Sequence, residues 1–538
     1  MNLNLIARSA PCAAAREFRN ACKVNFLGET TKLPHTWSVC VGAGRANEGL
    51  RADWQAQLKK VHRECGFRYL RFHGLFHDDM HVYTEENGEV HYNFQYVDQL
   101  FDALLKEGVR PFVELSFMPE ALCSNEQTLF WWKARVAPPN NLEKWANLVG
   151  AAVEHWLARY GKEEVHQWYF EVWNEPNLNA FWSGSRSQYY AMYRATSRKI
   201  KSIDSDLKVG GPATSNYVPD SRFDGDVEDV NSQMTFQVED LDSLDWHGVW
   251  IKDFLDFCAS EKLPVDFVSC HPYPTDFALD GYGESRGRTR EKDSIIKDVM
   301  WVKREVENSP YPDAELHLTE WSSSPSSRDY SHDYLPAAAY VMRSNLKCAG
   351  LMDCLSYWTF TDIFEEVGAG PKAFHGGFGM LNLQSVQKPV FHAYRILNEL
   401  GEECLAQDEG WIATKKNERL NMAFYHYPES YQATVPMSMY PDQSVAQQCQ
   451  DSGEARHYTF SVTGLKPGDT YTLCLLKRDM IPVALWNEMG APVSPTREQT
   501  ALLLRQGETM ERTVYTVDSQ GCLTLDFTVP AWTIGQLV

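Results

Sequence analysis

WYFEVWNEPNLNAFWSGSRSQYYAMYRATSRKIKSID, residues 168–204, carries one complete structural unit. Residues 168–175 are a short hydrophobic, aromatic run closed by Pro176, which predicts a buried strand. Residues 188–204 read as a helix. The same order repeats on either side. Towards the N-terminus, strands at 37–44, 68–74 and 109–117 are followed by helices at 50–65, 96–108 and 142–161, the last two ending at Gly108 and Gly161. Towards the C-terminus, strands at 208–214, 265–274, 315–321 and 352–360 alternate with helices at 247–261, 293–308, 335–349 and 390–400. Strands with continuous apolar character, each followed by a helix, predict a parallel sheet; eight such units predict a closed (β/α)8 barrel. No GxGxxG follows the first strand, which weighs against an open doubly wound sheet.

A chain of 538 residues exceeds one ordinary core, so two domains are expected. The barrel is assigned to residues 30–398. Beyond 400 the texture changes to strand-like runs such as LNMAFYHY, HYTFSVTGL and TYTLCLLK, separated by turns such as KPGD and DSQG. This predicts an all-β sandwich over 399–538, joined by residues 1–29. The acidic stretch 220–245 reads as an inserted, solvated loop.

The net charge of −21 argues against nucleic acid and anionic membrane surfaces as partners, since both would repel the chain. No apolar run reaches the roughly 18 residues a membrane span needs. The opening MNLNLIARSAPCAAA lacks a basic n-region, and Asn4 and Arg8 interrupt its apolar part, so export is not expected. Thirteen cysteines without CxxC pairs fit free thiols in a reducing, cytoplasmic setting. Most of the 17 tryptophans are expected in the core, although aromatic faces also suit sugar rings.

In such a barrel the functional site lies at the C-terminal ends of the strands. That criterion selects Glu175 on strand four and Glu320 on strand seven, with His73, His271, Tyr273 and Trp358 around them. Two carboxylates facing one pocket suit glycosidic cleavage: one donates a proton to the leaving oxygen, the other attacks or activates water. WNE occurs again at 486–488, but Glu488 falls in the β-rich region and is assigned a structural role. His73, His77 and His81 with Asp78 and Asp79 could be read as metal ligands. Their segment follows a strand, however, and only His73 occupies a strand end, so no metal is expected.

The ordered pieces VGAGRANEGLR, RYLRFHG with HDDM, RPFVELSFMP, FEVWNEPNL, DFVSCHPYP, LTEWSSSP, YWTFTDIFEE and HGGFGML resemble glycoside hydrolase family 39, especially its bacterial β-xylosidases, from Trp37 to about Leu397. The resemblance implies Glu175 as general acid/base, Asn174 on the sugar 2-hydroxyl and Glu320 as nucleophile. It implies that Tyr273 and His271 lie about the nucleophile, that His73 lines the glycone pocket and that Trp358 is a platform. Glu365 or Glu366 would bind distal hydroxyls, with Glu365 favoured. The family often forms oligomers, so a homo-oligomer is a possible assembly.

The expected activity is that of a retaining exo-β-D-xylosidase on xylo-oligosaccharides, without cofactor. The alternatives are another glycone (α-L-arabinopyranosidase, β-glucosidase or iduronidase-like activity) and a non-catalytic sugar-binding barrel. An aryl-glycoside panel separates the first group, and binding without product would mark the second.

Overall fold

In helix α1 (Ala52–Cys65), Trp54, Leu58, Val61 and Cys65 recur at helical spacing and are buried along one face. Burying each of the larger side chains contributes about 1.5–3 kcal/mol. Gly66 stops the helix in a left-handed conformation (φ 81°) and donates its N–H to the His62 carbonyl at 2.9 Å. The computed structural model describes residues 21–215, 217–218, 246–276, 288–435 and 442–538. The acidic stretch 220–245 and most of residues 1–29 therefore lie outside the described residues.

Eight strands follow the expected order: β1 (Cys40–Arg45), β2 (Tyr69–His73), β3 (Arg110–Leu115), β4 (Tyr169–Val172), β5 (Lys208–Ser215), β6 (Phe267–His271), β7 (Glu315–Trp321) and β8 (Cys354–Tyr357). All pair in parallel with their sequence neighbours, and β8 pairs with β1, closing the barrel. The helices after β2 to β8 are α2 (Gln95–Lys106), α3 (Leu142–Tyr160), α4 (Arg186–Ile203), α5 (Ile251–Ser260), α6 (Ser294–Glu307), α7 (Leu335–Cys348) and α8 (Pro389–Glu399). Side-chain oxygens cap two of them: Asn141 accepts from the Glu143 and Lys144 N–H groups at α3, and Ser185 from Gln188 at α4.

Inside the barrel, side chains at alternate strand positions form successive layers. The lowest is apolar and aromatic, with Cys40, Tyr69, Phe112, Tyr169, Phe267 and Cys354 packed beside His317. Two residues further along the strands, the layer turns polar at Arg71, Glu114, Glu171, Ser269 and Thr319, all fully buried or nearly so.

By packing, the chain divides into Thr36–Pro325 with Leu351–Gly370, and Met1–His35 with Ser326–Gly350 and Pro371–Val538. The division thus differs from a single cut at 398. Helices α7 and α8 group with the second unit because they pack on one another and on its strands Arg419–Tyr425 and Ile534–Leu537.

That unit has a seven-stranded and a three-stranded sheet, whose apolar faces share a core including Trp411, Phe424, Phe460, Leu473 and Leu525. Cys22–Asn25 pairs in parallel with Phe460–Thr463, so the N-terminal segment contributes a strand. Among the described residues, the helices Gln443–Asp451, Pro482–Glu488 and Arg497–Gly507 accompany the sheets; the sequence reads as a loop or short helical turn about Glu488 and gives no sign of the other two. Among the described residues, no helix is long and apolar enough to cross a membrane.

Candidate active site

Strand β4 ends in backbone that few residues adopt: Trp173 and Glu175 have φ of 75° and 46°. Left-handed backbone at non-glycine residues costs on the order of 1–3 kcal/mol and persists only where the surroundings hold it. Here the Glu175 N–H donates to the Ala213 carbonyl at 2.9 Å. Asn177 and Ser215 exchange a reciprocal pair of hydrogen bonds at 2.7 and 2.9 Å. The turn carries Glu175 into the barrel mouth. One oxygen of Glu175, one of Glu320 and a ring nitrogen of His271 lie within 4.8 Å of one another.

The two carboxylates live in different surroundings. Glu320 accepts from Arg71 Nη1 at 2.7 Å and from the Tyr273 hydroxyl at 3.1 Å. Both are donors, and the guanidinium makes its hydrogen bond a charge-assisted one. Glu175 is removed from water, and burial pushes its carboxyl up to about 7. His271 Nδ1 lies 2.8 Å from Glu175 Oε1, and burial lowers this imidazole to about 4, so it is neutral at ordinary pH. Proximity to Glu320 and Glu175 adds to the burial that raises the Tyr273 phenol.

Arg71 anchors the site. It is fully buried and reaches Glu171 (2.5 Å), Glu320 (2.7 Å), Asn174 Oδ1 (2.8 Å) and Glu114 (3.0 Å). The bond to Oδ1 fixes the Asn174 amide, leaving its buried Nδ2 without a protein partner among the described residues. Such a donor is costly unless something accepts from it. His73 Nδ1 lies 2.8 Å from Glu114, and its ring packs on Trp358 at 4.7 Å between centroids. Trp358 lies so close to Gly42 that a Cβ there would stand 2.2 Å from its Cε3.

Of the residues singled out by the sequence, His73, Asn174, Glu175, His271, Tyr273, Glu320 and Trp358 converge. Glu365 does not join them. Its carboxylate pairs with Arg45 at 2.8 Å and Arg51 at 3.5 Å, while its N–H donates to Glu48 at 2.9 Å. Burial raises Glu48 to about 8. The charge of the neighbouring Glu366 adds a smaller contribution at Tyr273, after those of Glu320 and Glu175. The sequence reading also missed Arg71, Glu114, Glu171 and Thr319, although each lies two positions after a residue of the layer below, Tyr69, Phe112, Tyr169 and His317.

The histidines of the segment 71–83 have separate partners rather than a shared centre. His73 faces Glu114, His77 pairs with Asp79 and meets Trp132 edge-on, and His81 packs on Tyr96. Glu175, His271 and Glu320 are close enough to share an ion, but Arg71 already places a positive charge against Glu320, which opposes a cation there. Glu488 is exposed on the helix Pro482–Glu488, in the other unit.

The chain matches the model of glycosyl hydrolases family 39 over residues 22–524. It is 33% identical over 520 residues to a beta-xylosidase of Caldicellulosiruptor saccharolyticus, covering 94% of this chain and 95% of that one. It is 39% identical over 396 residues to a beta-xylosidase of Geobacillus stearothermophilus, covering 72% and 73%. A monomeric beta-xylosidase from Caulobacter crescentus superposes with a TM-score of 0.81 at 32% identity, covering 96% and 98%. With a closed barrel that sets two unlike carboxylates side by side, and a family match over nearly its whole length, the chain belongs to glycosyl hydrolases family 39.

Proposed function

We propose that the protein is a retaining exo-β-D-xylosidase that releases xylose from the non-reducing ends of xylo-oligosaccharides. The observation that carries this reading is the approach of one oxygen of Glu175 to one oxygen of Glu320 within 4.8 Å. Retaining glycosidases hold their carboxyl groups about 5–5.5 Å apart, and inverting ones about 6.5–9.5 Å, to admit a water. The beta-xylosidases similar to this chain support xylose as the glycone.

Glu320, ionised beside Arg71 and Tyr273, attacks the anomeric carbon. The bond from that carbon to the aglycone oxygen breaks, and the Glu175 proton passes to this oxygen. Glu175, now a carboxylate, takes a proton from water as the water oxygen attacks the same carbon and the ester to Glu320 breaks. Both electron pairs and both protons are accounted for, and two inversions return the original configuration.

Asn174 Nδ2 is the donor for the sugar 2-hydroxyl, a bond that strengthens as charge develops in the transition state. His73 and Trp358 line the glycone side. The distal-hydroxyl role goes to Glu366 rather than Glu365, because Arg45 and Arg51 already engage Glu365. We place the enzyme in a reducing cytoplasm, supported by twelve free cysteines among the described residues; subcellular fractionation tests this.

A panel of aryl glycosides with NMR of the first-formed anomer tests the function. Fastest turnover of the β-xyloside with β-xylose formed first supports it. Preference for another glycone or first formation of α-xylose refutes it.

A further inference from the structure

Thr319 immediately precedes Glu320 on β7 and is fully buried. The double-displacement chemistry gives it no task. Its hydroxyl donates to Glu171 Oε1 at 2.8 Å, and the other oxygen of Glu171 accepts from Arg71 Nε at 2.5 Å. Glu171 is thus an acceptor on both sides. A hydroxyl has a single hydrogen. With that hydrogen on Glu171, Thr319 Oγ1 can only accept from His271 Nε2, 3.0 Å away. His271 therefore carries its proton on Nε2 and turns the lone pair of Nδ1 towards Glu175 Oε1 at 2.8 Å. Two lone pairs make no hydrogen bond, so the hydrogen in that contact belongs to Glu175.

We propose that Glu171 and Thr319 form a relay that fixes the tautomer of His271 and thereby holds a proton on Glu175 in the resting enzyme. Thr319 is then a positioning residue for acid catalysis, acting through His271 of β6 on a group three strands away in the barrel. The inference rests on the reading of Glu175 as acid/base.

The relay also serves the second half of the reaction. Once Glu175 has given its proton to the leaving oxygen, its carboxylate faces the Nδ1 lone pair. That repulsion raises its affinity for a proton just when it must take one from water. Most of the other groups around Glu175 act the opposite way. Arg71 and His73 from β2 and the Ser215 hydroxyl from β5 favour its ionised form, while Glu114 from β3 opposes it. Tyr273, following β6, donates to Glu320 on β7 rather than to Glu175. Arg71, Glu114, Glu171 and Glu320 are the charged groups acting on His271.

Thr319→Val keeps the shape of the side chain and removes the hydroxyl. His271 then has no acceptor at Nε2, and the Nδ1–H tautomer, which donates to the Glu175 carboxylate, becomes favoured. The expected result is a downward shift of the alkaline limb of kcat/KM on an aryl β-xyloside by about one pH unit. Thr319→Ser, which restores the hydroxyl, should return the limb to its wild-type position.

Nitrogen-15 NMR of His271 supplies a reading independent of turnover, with the proton expected on Nε2 in the wild type and on Nδ1 in Thr319→Val. A proton on Nδ1 in the wild type overturns the relay, as does an unmoved limb in folded Thr319→Val. Glu175→Ala separates this from the underlying assignment. If it retains the wild-type alkaline limb, the acid/base role itself fails. If it loses the limb while Thr319→Val keeps it, only the relay fails.

Discussion

Arg71 Nη1 lies 2.7 Å from Glu320 Oε1, and the same guanidinium holds Glu171, Glu114 and Asn174. One cation thus fixes Glu320, Asn174 and two carboxylates that turn neighbouring histidine and threonine side chains. Its burial would be untenable without these partners, and they would repel one another without it. Arg71→Met should therefore lower stability by about 3–5 kcal/mol, the usual cost of leaving buried charge unpaired. Thermal unfolding with and without the substitution measures this; a loss under about 1 kcal/mol would contradict the role of Arg71 as the anchor of the layer.

The two carboxylates should fail in different ways when removed. Glu320→Gly should cost at least about 10⁴ in kcat on every substrate. Glu175→Ala should lose about 10²–10⁴ on xylobiose, whose leaving group needs a proton, and much less in the first step on an activated aryl xyloside. Azide, which needs no general base, should then restore turnover of Glu175→Ala and yield a β-xylosyl azide. Equal losses on both substrates, with no rescue, would contradict the division of roles.

Stability should depend on pH through Glu175 and His271 with opposite signs. Glu175 rises from its ordinary 4.5 to about 7, so the folded state favours its neutral form. Its contribution is complete below about 4.5 and is lost as pH climbs through 7. His271 falls from 6.5 to about 4, so its contribution is present above 6.5 and lost as pH falls through 4. Glu175→Gln retains a donor to His271 without the charge. It should be more stable than the wild type at pH 8, by about 1–3 kcal/mol, with the difference vanishing towards pH 4.5. Melting temperatures of the pair across that range test the sign.

Gly42 makes room for the Trp358 indole. A Cβ at that position would stand 2.2 Å from Trp358 Cε3, so Gly42→Ala must displace the ring. Overpacking of this kind costs about 1–3 kcal/mol, and the displaced platform should raise KM for aryl xylosides. An unchanged KM in a folded variant would remove Trp358 from the glycone wall.

Glu488 supplies the contrast to these variants. It repeats the WNE tripeptide but is exposed on a helix of the β-rich unit. Glu488→Ala should leave kcat and KM within about twofold of wild type, since exposed substitutions away from special features are usually near-neutral.

The barrel was legible because each strand is a short apolar run followed by a helical one, as residues 168–204 show. Position at strand ends was enough to find Glu175, Glu320, His271 and Tyr273. The polar layer beneath them was missed for a specific reason. Arg71, Glu114, Glu171 and Thr319 follow Tyr69, Phe112, Tyr169 and His317 by two positions, so strand alternation points them inward. Weighing only the strand ends passed over them. The choice between Glu365 and Glu366 was not legible at all, since both sit in a loop without periodicity, and the pairing of Glu365 with Arg45 and Arg51 is a long-range contact. Likewise the grouping of α7 and α8 with the second unit depends on long-range packing that no local pattern records.

The most direct test of the double displacement is covalent. A 2-deoxy-2-fluoro-β-xyloside with a good leaving group slows the second step more than the first and should accumulate the glycosyl–enzyme. Peptide mass spectrometry of the inactivated protein should place one fluoroxylosyl group on Glu320. A label on any other residue, or full turnover with inverted product and no label, would contradict a mechanism in which Glu320 attacks the sugar and Glu175 serves it as acid and base.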